Sequence, residues 1–528
     1  MKNIAAIAVI CVWGACLVSC SPSEAPSTLT LTANAITLSS KGDPSTIEIK
    51  STIPWNISGS LPDWLTVTPT SGQGDASIQV RGVPNTKTQR TAEIRFVPTQ
   101  NTNNLSATLR VSQPVVSLNL SLSSVQLEYG VTTFGVTIST EAAWSIEGVP
   151  DWYTISPMSG SGSSSLTVSV TANNTPNDRT GTASIKFYDS ATSFSVTQLG
   201  AIYADGEVLQ YMHSSKSQPV ILVFTGDGYI KEDCKMGGLF EQNAAEGIEA
   251  LFSIEPYKSY REYFSVYIVF AHSLERGASQ VNLGITKQTC FNATFTSTTS
   301  SGTNITADNT KAYEYAQKVP GMAEYGINNT AVFMMVNQDR YGGTCTMNTA
   351  GRSVAKIPVS RRNGNSSYAN VLLHEGGGHG FGRFVDEYVS NETQIPDNTM
   401  TTDRSYQNRG MYLNVDFTDD PQSVYWAHLI NQPFYDRVGI YQGGALYRYG
   451  VWRAEETNCM INNIQYYNAI CRELIVRRIL TISGEGFTVE KFLAKDLVRT
   501  PGAPAIMEAR AFDPQTFIPL APPEVEID

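Results

Sequence analysis

The sequence predicts a multidomain protein in which two all-β sandwiches precede an α/β domain. Residues 28–200 contain a repeat of about 88 positions, and each copy has short alternating strands separated by Gly, Pro and Asn turns. From about residue 201, continuous apolar runs alternate with helical patterns, which is typical of a mostly parallel sheet. We therefore predict sandwiches at 28–114 and 115–200 and an α/β domain at 201–492.

Length and composition limit the classes of function. The chain has 528 residues, of which 41% are hydrophobic and 16% charged, so it has the composition of a globular protein. Its 37 Lys and Arg residues against 48 Asp and Glu residues give a net charge of −11. An acidic chain without a run of basic residues is a poor nucleic-acid binder, so we expect no nucleic-acid partner.

The N-terminus is predicted to be an export signal. An apolar run from residue 4 to residue 18 is short for a membrane span and resembles the core of a secretion signal. It ends in Leu17-Val18-Ser19-Cys20, which resembles a bacterial lipobox, where cleavage precedes the cysteine and its thiol carries lipid. We predict a lipoprotein signal peptide at 1–19, lipidation of Cys20, a tether at 20–27 and a surface-exposed location on the outer membrane. The alternative is an ordinary cleaved signal.

Five cysteines remain beyond the signal and Cys20. Their odd number leaves at least one free thiol, and they form no C-x-x-C pair, so we expect no cysteine-based zinc or redox site. They are Cys234, Cys290, Cys345, Cys459 and Cys471.

The repeat at 28–200 has a recurring set of tryptophans and turns. Trp55 recurs as Trp144, Trp64 recurs as Trp152, and each copy has a Ser-Gly-x-Gly turn. These features resemble BACON domains, the immunoglobulin-like modules of Bacteroidetes surface proteins. The resemblance implies a glycan- or mucin-binding role, with Trp64 and Trp152 as candidates for stacking on a sugar. The alternative is a rigid spacer in which these tryptophans are buried.

The α/β region has clear element patterns. Apolar runs predict strands, and stripes with helical spacing predict helices. Pro358 favours an edge position for the last of these strands, because proline lacks the N–H that a central strand needs. The predicted strands are 219–224, 264–270, 330–336 and 353–360, and the predicted helices are 231–252, 307–319 and 471–482.

The segment His374-Glu375-Gly376-Gly377-Gly378-His379 carries the chemistry. Two of only five histidines lie within six residues, next to a glutamate. On a regular α-helix, residues five apart diverge by about 140°. A π-turn, with hydrogen bonds between residues i and i+5, brings them onto one face. Three glycines cost helix stability of about 1 kcal/mol each, which indicates that this turn serves a special geometry.

This geometry predicts a zinc site with an open position for water. His374 and His379 provide two nitrogen ligands, and Asp386 is the candidate third ligand, with Glu387 as its rival. Glu375 would take a proton from the water that zinc activates and pass it to the leaving amine. The alternatives are a structural zinc site, ordinary surface histidines and an inactive domain that keeps the fold.

The motif resembles the active site of the IgA-peptidase family of zinc metalloproteases. Further segments that resemble this family extend the match over residues 205–490, among them 224–229, 255–260, 337–343 and 471–477. The resemblance implies a metzincin-like zinc peptidase domain that uses Zn²⁺ and acts on proteins or glycoproteins. It also implies a methionine turn, for which Met460 is the candidate, and an oxyanion-stabilising residue, for which Tyr388, Tyr449 and Arg453 remain open.

Together these features predict a secreted, lipid-anchored zinc endopeptidase that hydrolyses host or dietary proteins and glycoproteins. The membrane contact would be only through the lipid. Residues 493–528 are Pro-rich, and we predict a C-terminal tail that packs on the domain or is partly disordered. The alternative function is a non-catalytic surface adhesin whose sandwiches bind glycans and whose metal domain is inert.

Overall fold

A computed structural model describes residues 26–100, 104–498 and 517–528. The chain divides into two compact units, one with residues up to Ala172 plus Thr180–Gln198 and the other with Asn173–Arg179 plus Leu199–Asp528. The first unit is rich in β-strands and the second mixes helices and strands. The predicted signal and Cys20 lie outside the described residues. Within the described ranges, no helix combines the length and the apolar character that a membrane crossing requires.

The first copy of the repeat forms two sheets. One has the strand order β1-β3-β7-β5 and the other β2-β9-β8-β4-β6. All of their pairings are antiparallel except β2 with β9. Strands β1–β9 are, in order, Leu29–Leu31, Ala35–Thr37, Ser45–Ser51, Pro54–Ser58, Leu65–Thr68, Ser71–Gln73, Ala76–Gly82, Arg90–Pro98 and Ala107–Gln113.

The second copy repeats this topology strand by strand. Its sheets have the orders β10-β12-β16-β14 and β11-β18-β17-β13-β15. The sequence repeat is therefore a repeat of structure. Strands β10–β18 are Leu118–Leu120, Ser124–Leu127, Thr132–Thr140, Ala143–Glu147, Tyr153–Ser156, Ser159–Ser161, Ser164–Val170, Arg179–Phe187 and Ser190–Gln198.

Each copy packs its two sheets around a buried tryptophan. The indole N–H of Trp55 donates to the Gly74 carbonyl at 3.0 Å, and that of Trp144 donates to the Gly162 carbonyl at 2.9 Å. The repeated Ser-Gly-x-Gly turn lies flat on this ring, since a Cβ on Gly160 would lie 2.5 Å from Trp144. The turn therefore serves the core.

The other repeated tryptophans are half-buried against the same cores. Trp64 has the guanidinium of Arg90 stacked 4.5 Å above its ring centroid. Trp152 contacts Tyr153 edge-to-face at 4.8 Å. These contacts account for both side chains without a ligand, and glycan binding stays a prediction.

The second unit is built on a seven-stranded sheet with the order β19-β21-β20-β25-β27-β26-β32. Four of its six pairings are parallel, as the sequence predicts, and β19/β21 and β26/β27 are antiparallel. Its strands are β19 Val208–Met212, β20 Val220–Asp227, β21 Phe264–Val269, β25 Ala331–Val336, β26 Thr344–Asn348, β27 Ser353–Pro358 and β32 Glu524–Glu526.

Shorter strands and the helices surround this sheet. The remaining strands are β22 Ser279–Gln280, β23 Thr294–Phe295, β24 Ile305–Thr306, β28 Val389–Gln394, β29 Val415–Asp416, β30 Tyr441–Gly444 and β31 Leu446–Arg453. The α-helices are α1 Leu239–Leu251, α2 Asn309–Ala316, α3 Met322–Tyr325, α4 Tyr368–Leu372, α5 Asp397–Gln407, α6 Cys459–Asn462, α7 Ala469–Ile482 and α8 Val489–Lys495. A π-helix spans Leu373–Gly382, and 3₁₀ turns lie at Lys231–Cys234, Arg261–Tyr263, Val281–Leu283, Ile327–Asn329, Gly364–Ser366 and Ala427–Leu429.

Two sequence predictions for this unit are wrong in part. The strand at 353–360 is not an edge strand, because β27 lies between β25 and β26. Pro358 is its last residue, so the missing N–H falls where the strand ends. The helix expected over 231–252 is α-helical only at Leu239–Leu251, because Gly237, at φ +66°, interrupts it.

All five cysteines predicted to remain after export are buried free thiols. No disulfide is formed in the described part of the chain, so the fold of this unit rests on packing and hydrogen bonds. Burial raises the pKa of the Cys345 thiol, and the nearby Glu375 carboxylate adds to this effect.

Candidate metal centre

The two histidines of the motif lie on the π-helix that continues α4. The Ser367 hydroxyl caps α4 by accepting from the Asn370 N–H at 3.3 Å. The helix then widens to hydrogen bonds between residues five apart, as the histidine spacing predicts. This widening turns both imidazoles to one side, with the Nε2 atoms of His374 and His379 only 3.0 Å apart.

The three glycines between the histidines are required by what packs on this turn. A Cβ on Gly376 would lie 2.1 Å from the Phe333 ring, and one on Gly378 would lie 2.3 Å from the Met460 sulfur. A Cβ on Gly377 would lie 2.4 Å from the Tyr467 hydroxyl. The glycines therefore allow the sheet and the Met460 segment to approach the helix backbone.

Backbone carbonyls hold the other nitrogen of each imidazole. His374 Nδ1 lies 3.1 Å from the Cys459 carbonyl, and His379 Nδ1 lies 2.7 Å from the Phe384 carbonyl. A carbonyl only accepts, so each Nδ1 carries the proton and each Nε2 presents a lone pair. Two lone pairs thus face each other at 3.0 Å, which is unfavourable unless a cation lies between them.

Asp386 completes this cluster. The π-helix ends at Gly382, and Arg383 takes a left-handed φ of +62° that turns the chain back toward the histidines. Asp386 Oδ1 then lies 3.0 Å from His374 Nε2 and 3.4 Å from His379 Nε2. Burial alone would raise the pKa of Asp386, but protonation of the two imidazoles puts positive charge beside its carboxylate, which outweighs burial and holds the pKa below its ordinary value.

Glu387, the rival third ligand, faces a different set of partners. Its carboxylate accepts hydrogen bonds from the side-chain amides of Asn414 at 3.0 Å, Asn458 at 2.7 Å and Asn468 at 3.1 Å. Burial raises the pKa of Glu387 to about 7, although these hydrogen bonds act in the opposite direction and lower it. The structure therefore brings His374, His379 and Asp386 together, with ligand atoms within 4.8 Å of one another, and keeps Glu387 as a structural anchor.

Glu375 is the remaining charged group of the motif. It is fully buried, and no described residue meets its carboxylate oxygens in good hydrogen-bond geometry, although the Cys345 N–H lies close enough to lower its pKa. Burial raises the pKa of Glu375 to about 8, the charge of His374 in its protonated form opposes this, and the Asp386 carboxylate adds to it. Its carboxylate rests on the backbone of Gly343, where a Cβ would lie 2.8 Å from Glu375 Cγ. A buried carboxylate with a raised pKa beside a metal cluster is a candidate proton carrier.

The segment around Met460 lies directly on the π-helix. Met460 is fully buried against Gly378, and the preceding residue, Cys459, supplies the carbonyl that holds His374. The Met460 carbonyl also accepts from the Glu387 N–H at 2.9 Å. The predicted methionine therefore packs against the turn that carries both histidines.

The three candidates for oxyanion stabilisation have different environments. The Tyr388 hydroxyl is buried and donates to the Leu520 carbonyl at 2.8 Å, whereas Tyr449 is 46% exposed. The Arg453 guanidinium donates to the carbonyls of Gln442 and Gly443. Of the three, Tyr388 is the one near the carboxylates of Asp386 and Glu375. Burial raises the pKa of its hydroxyl, and the two negative charges raise it further.

The sequence did not single out the residues that frame this site. Tyr341 has a buried hydroxyl that accepts from Asn463 at 3.1 Å, and its segment was used only as part of the family resemblance. The three asparagines around Glu387 are isolated in the sequence, so no local pattern could have found them. His272 and His428 lie outside the motif and have partners elsewhere, the Tyr203 carbonyl and Glu473, so their role is structural.

Two family models match the chain where the sequence resemblance places them. Residues 209–435 match the model described as IgA Peptidase M64, and residues 54–113 and 142–199 match BACON, described as a putative binding domain. The recognition made from the sequence is thereby confirmed. The peptidase match contains both histidines, Glu375 and Asp386. A search of curated proteins finds no match.

Solved structures give only distant similarity. A Porphyromonas gingivalis W83 protein of unknown function is 11% identical, covers 32% of this chain and 96% of its own, and has a TM-score of 0.14. Domains 4 and 5 of the S-layer protein SbsC are 15% identical, with coverages of 33% and 100% and a TM-score of 0.21. A Bacteroides ovatus GH5 xyloglucanase is 15% identical, with coverages of 42% and 46% and a TM-score of 0.17. These scores are too low to support any argument about fold or function.

Proposed function

We propose that this chain is a zinc-dependent endopeptidase, in which His374, His379 and Asp386 hold the metal and Glu375 transfers the proton. The observation that carries the proposal is the convergence of two imidazole nitrogens and one carboxylate oxygen beside a fully buried glutamate. The match to the IgA Peptidase M64 model supports a metallopeptidase rather than another zinc hydrolase.

The donor set fits a catalytic zinc ion. Two histidine nitrogens and one carboxylate oxygen are three protein ligands, which is the number that leaves one position open for water or substrate. A structural site usually has four protein ligands, and no fourth His, Cys, Asp or Glu joins this cluster among the described residues. When bound, zinc would activate water and polarise the scissile carbonyl.

The residues of the chain then perform the proton transfers. Glu375 accepts a proton from the attacking water, because burial raises its pKa and makes its carboxylate a better base than an exposed one. The protonated Glu375 then donates to the leaving amine. The carbonyls that hold each Nδ1–H keep the imidazoles in the tautomer that binds metal.

The packing on Met460 supports a metzincin-like arrangement as part of this proposal. The Met460 side chain contacts the helix backbone at Gly378, between the two histidines, and so stabilises the turn that carries them. Tyr388 is our candidate for stabilising the oxyanion, because its hydroxyl is the buried donor closest in sequence to Asp386.

The test measures zinc content and cleavage of casein and mucin by the full chain. We expect one zinc ion and cleavage for the wild type, zinc without cleavage for Glu375→Ala, and neither for His374→Ala. His272→Ala is the matched control, since its ring contacts a carbonyl away from the site. Zinc bound to the wild type with no cleavage of either substrate would favour the adhesin.

We also propose that the N-terminal modules bind a ligand that brings the peptidase to its substrate, in line with the description of the BACON model as a binding domain. A glycan of a host or dietary glycoprotein is the ligand class we propose. A glycan array probed with the full chain tests this, and replacing both Trp64 and Trp152 with alanine should abolish any signal if those rings contact the sugar.

The final part of the proposal is the location. We propose that the mature chain is anchored to the cell envelope through Cys20 and faces outward, and the resemblance of residues 17–20 to a lipobox supports this. Labelled palmitate should be incorporated into the wild type and not into Cys20→Ala. Label in neither protein would leave an ordinary secreted enzyme.

A further inference from the structure

The C-terminal segment 517–528 runs along the edge of the seven-stranded sheet. Strand β32 pairs in parallel with β26, with Glu524 opposite Thr346 and Glu526 opposite Asn348. Beyond the ladder, Asp528 forms an ion pair with Arg352 at 2.8 Å. The segment is thus bound as an added strand, a mode in which main-chain hydrogen bonds supply much of the affinity.

Charge complementarity reinforces this pairing. Lys356 is buried on β27 and donates to the Thr346 hydroxyl. The Thr346 hydroxyl in turn donates to Glu524 at 3.0 Å. The acidic segment therefore places the charges of Glu524 and Glu526 near a buried ammonium group whose hydrogen-bond partner among the described residues is the Thr346 hydroxyl.

The first part of the same segment is held by its main-chain carbonyls. The Tyr341 hydroxyl donates to the Ile518 carbonyl at 2.7 Å, and the Tyr388 hydroxyl donates to the Leu520 carbonyl at 2.8 Å. The Thr303 hydroxyl donates to the intervening Pro519 carbonyl at 3.3 Å. These three hydroxyls therefore bind the segment through its main chain, independently of its side chains.

These donors border the metal cluster on two sides. Tyr388 follows Asp386 by two residues. On the other side, Tyr341 lies two residues before Gly343. The Gly343 backbone packs against the Glu375 side chain, and its N–H donates to the Thr303 carbonyl at 3.0 Å. A carbonyl at the position of Ile518 or Leu520 is therefore held by the residues that frame the candidate site.

The metal cluster itself is closed to solvent. His374, His379, Asp386 and Glu375 are each at most 1% exposed, and Leu520 is 2% exposed. An endopeptidase must admit an extended peptide to its metal site, so a closed site with a peptide segment at its border is not the form that cleaves substrate.

We propose that residues 517–528 occupy the peptide-binding cleft of the metal site and slow the entry of substrate until they are displaced. This proposal rests on the proposed function, because a cleft for an extended peptide is what an endopeptidase needs. The occupant is the chain's own polypeptide, and the cleft consists of the β26 edge and the hydroxyls of Tyr341, Tyr388 and Thr303.

The test uses two single substitutions in the full, zinc-loaded chain. Leu520→Asp places a carboxylate at a buried position and should displace the segment, since burying an unpaired charge is costly. Ile518→Asp is the matched control, because Ile518 is 42% exposed and binds through its carbonyl. We measure the rate of zinc transfer to a coloured chelator and the rate of casein cleavage.

We expect Leu520→Asp to release zinc at least about tenfold faster than the wild type and to cleave casein correspondingly faster. Ile518→Asp should stay within about twofold of the wild type in both rates. A synthetic peptide of residues 517–528, added to Leu520→Asp, should restore slow zinc release, and a scrambled peptide should not. This rescue also shows that the variant is folded.

The two readouts separate the two proposals. Equal zinc-release rates for the wild type and Leu520→Asp, with no effect of the added peptide, would overturn the occupied cleft. Faster zinc release that the peptide reverses, without cleavage of any substrate, would uphold the occupied cleft and count against the peptidase function alone.

Discussion

The choice of third metal ligand gives the sharpest prediction, since Asp386 and Glu387 are neighbours with opposite expected effects. Asp386→Asn keeps the side-chain shape and removes the charge that faces both Nε2 atoms at 3.0 and 3.4 Å. Loss of an outer partner of a zinc ligand costs 10- to 100-fold in affinity, so loss of a ligand itself should cost at least about 100-fold. That corresponds to about 2.7 kcal/mol of binding free energy.

Glu387→Gln is the matched control for this substitution. The Glu387 carboxylate accepts hydrogen bonds from three asparagine amides, whereas a glutamine amide also carries N–H donors. In the variant, one of these N–H groups must face an asparagine N–H, so a hydrogen bond is lost. A hydrogen bond to a charged group contributes about 1.5–3 kcal/mol, so we expect the free energy of unfolding to fall by about 3 kcal/mol. Zinc affinity of the folded variant should stay within about tenfold of the wild type.

The assay is competition against chelators of graded zinc affinity, paired with urea unfolding of the zinc-free proteins. We expect Asp386→Asn to lose zinc at chelator strengths that the wild type resists, with a small effect on unfolding. The reverse result, in which Glu387→Gln loses zinc and Asp386→Asn retains it, would refute the ligand assignment.

Three further substitutions test packing and buried charges, one at the metal cluster and two elsewhere in the second unit. Gly378→Ala forces Met460 off the ligand turn and should lower stability by about 1–3 kcal/mol and reduce zinc occupancy; a thermal melt and zinc content equal to the wild type would contradict the packing argument. Asp496→Asn removes the charge that pairs with buried Arg472 through two hydrogen bonds of 2.8 and 2.9 Å. The free energy of unfolding, measured in urea, should fall by about 3–5 kcal/mol. A fall below about 1 kcal/mol would show that the pair is not buried in solution. Burial raises the pKa of Asp403 to about 6, so the folded protein holds the Asp403 proton more tightly than the unfolded chain does. The free energy of unfolding of the wild type should therefore fall by up to about 3 kcal/mol as pH rises from about 4 to 6. Asp403→Asn should abolish this fall, and parallel curves of stability against pH for the two proteins would contradict the prediction.

The regular parts of this protein could be predicted from sequence because they follow local periodicity. The runs before Phe224, Phe270 and Val336 became the central parallel strands, since a strand buried on both faces must be apolar throughout. The histidine spacing predicted the π-helix because a regular α-helix would separate the two rings.

The parts that escaped prediction depend on contacts between distant segments. The position of Pro358 at the end of a central strand depends on where β26 and β32 pair, which the local pattern does not contain. The Pro-rich composition after residue 493 indicated a tail, but the strand at Glu524–Glu526 exists only through its pairing with β26. Likewise, the asparagines around Glu387 come from three segments that meet only in the fold.

The most direct test of the metal centre is anomalous diffraction at the zinc absorption edge from crystals of the zinc-loaded protein. We predict one strong peak, about 2.0–2.2 Å from the Nε2 atoms of His374 and His379 and from an oxygen of Asp386. A peak elsewhere, or no peak with the two imidazoles turned apart, would contradict the account.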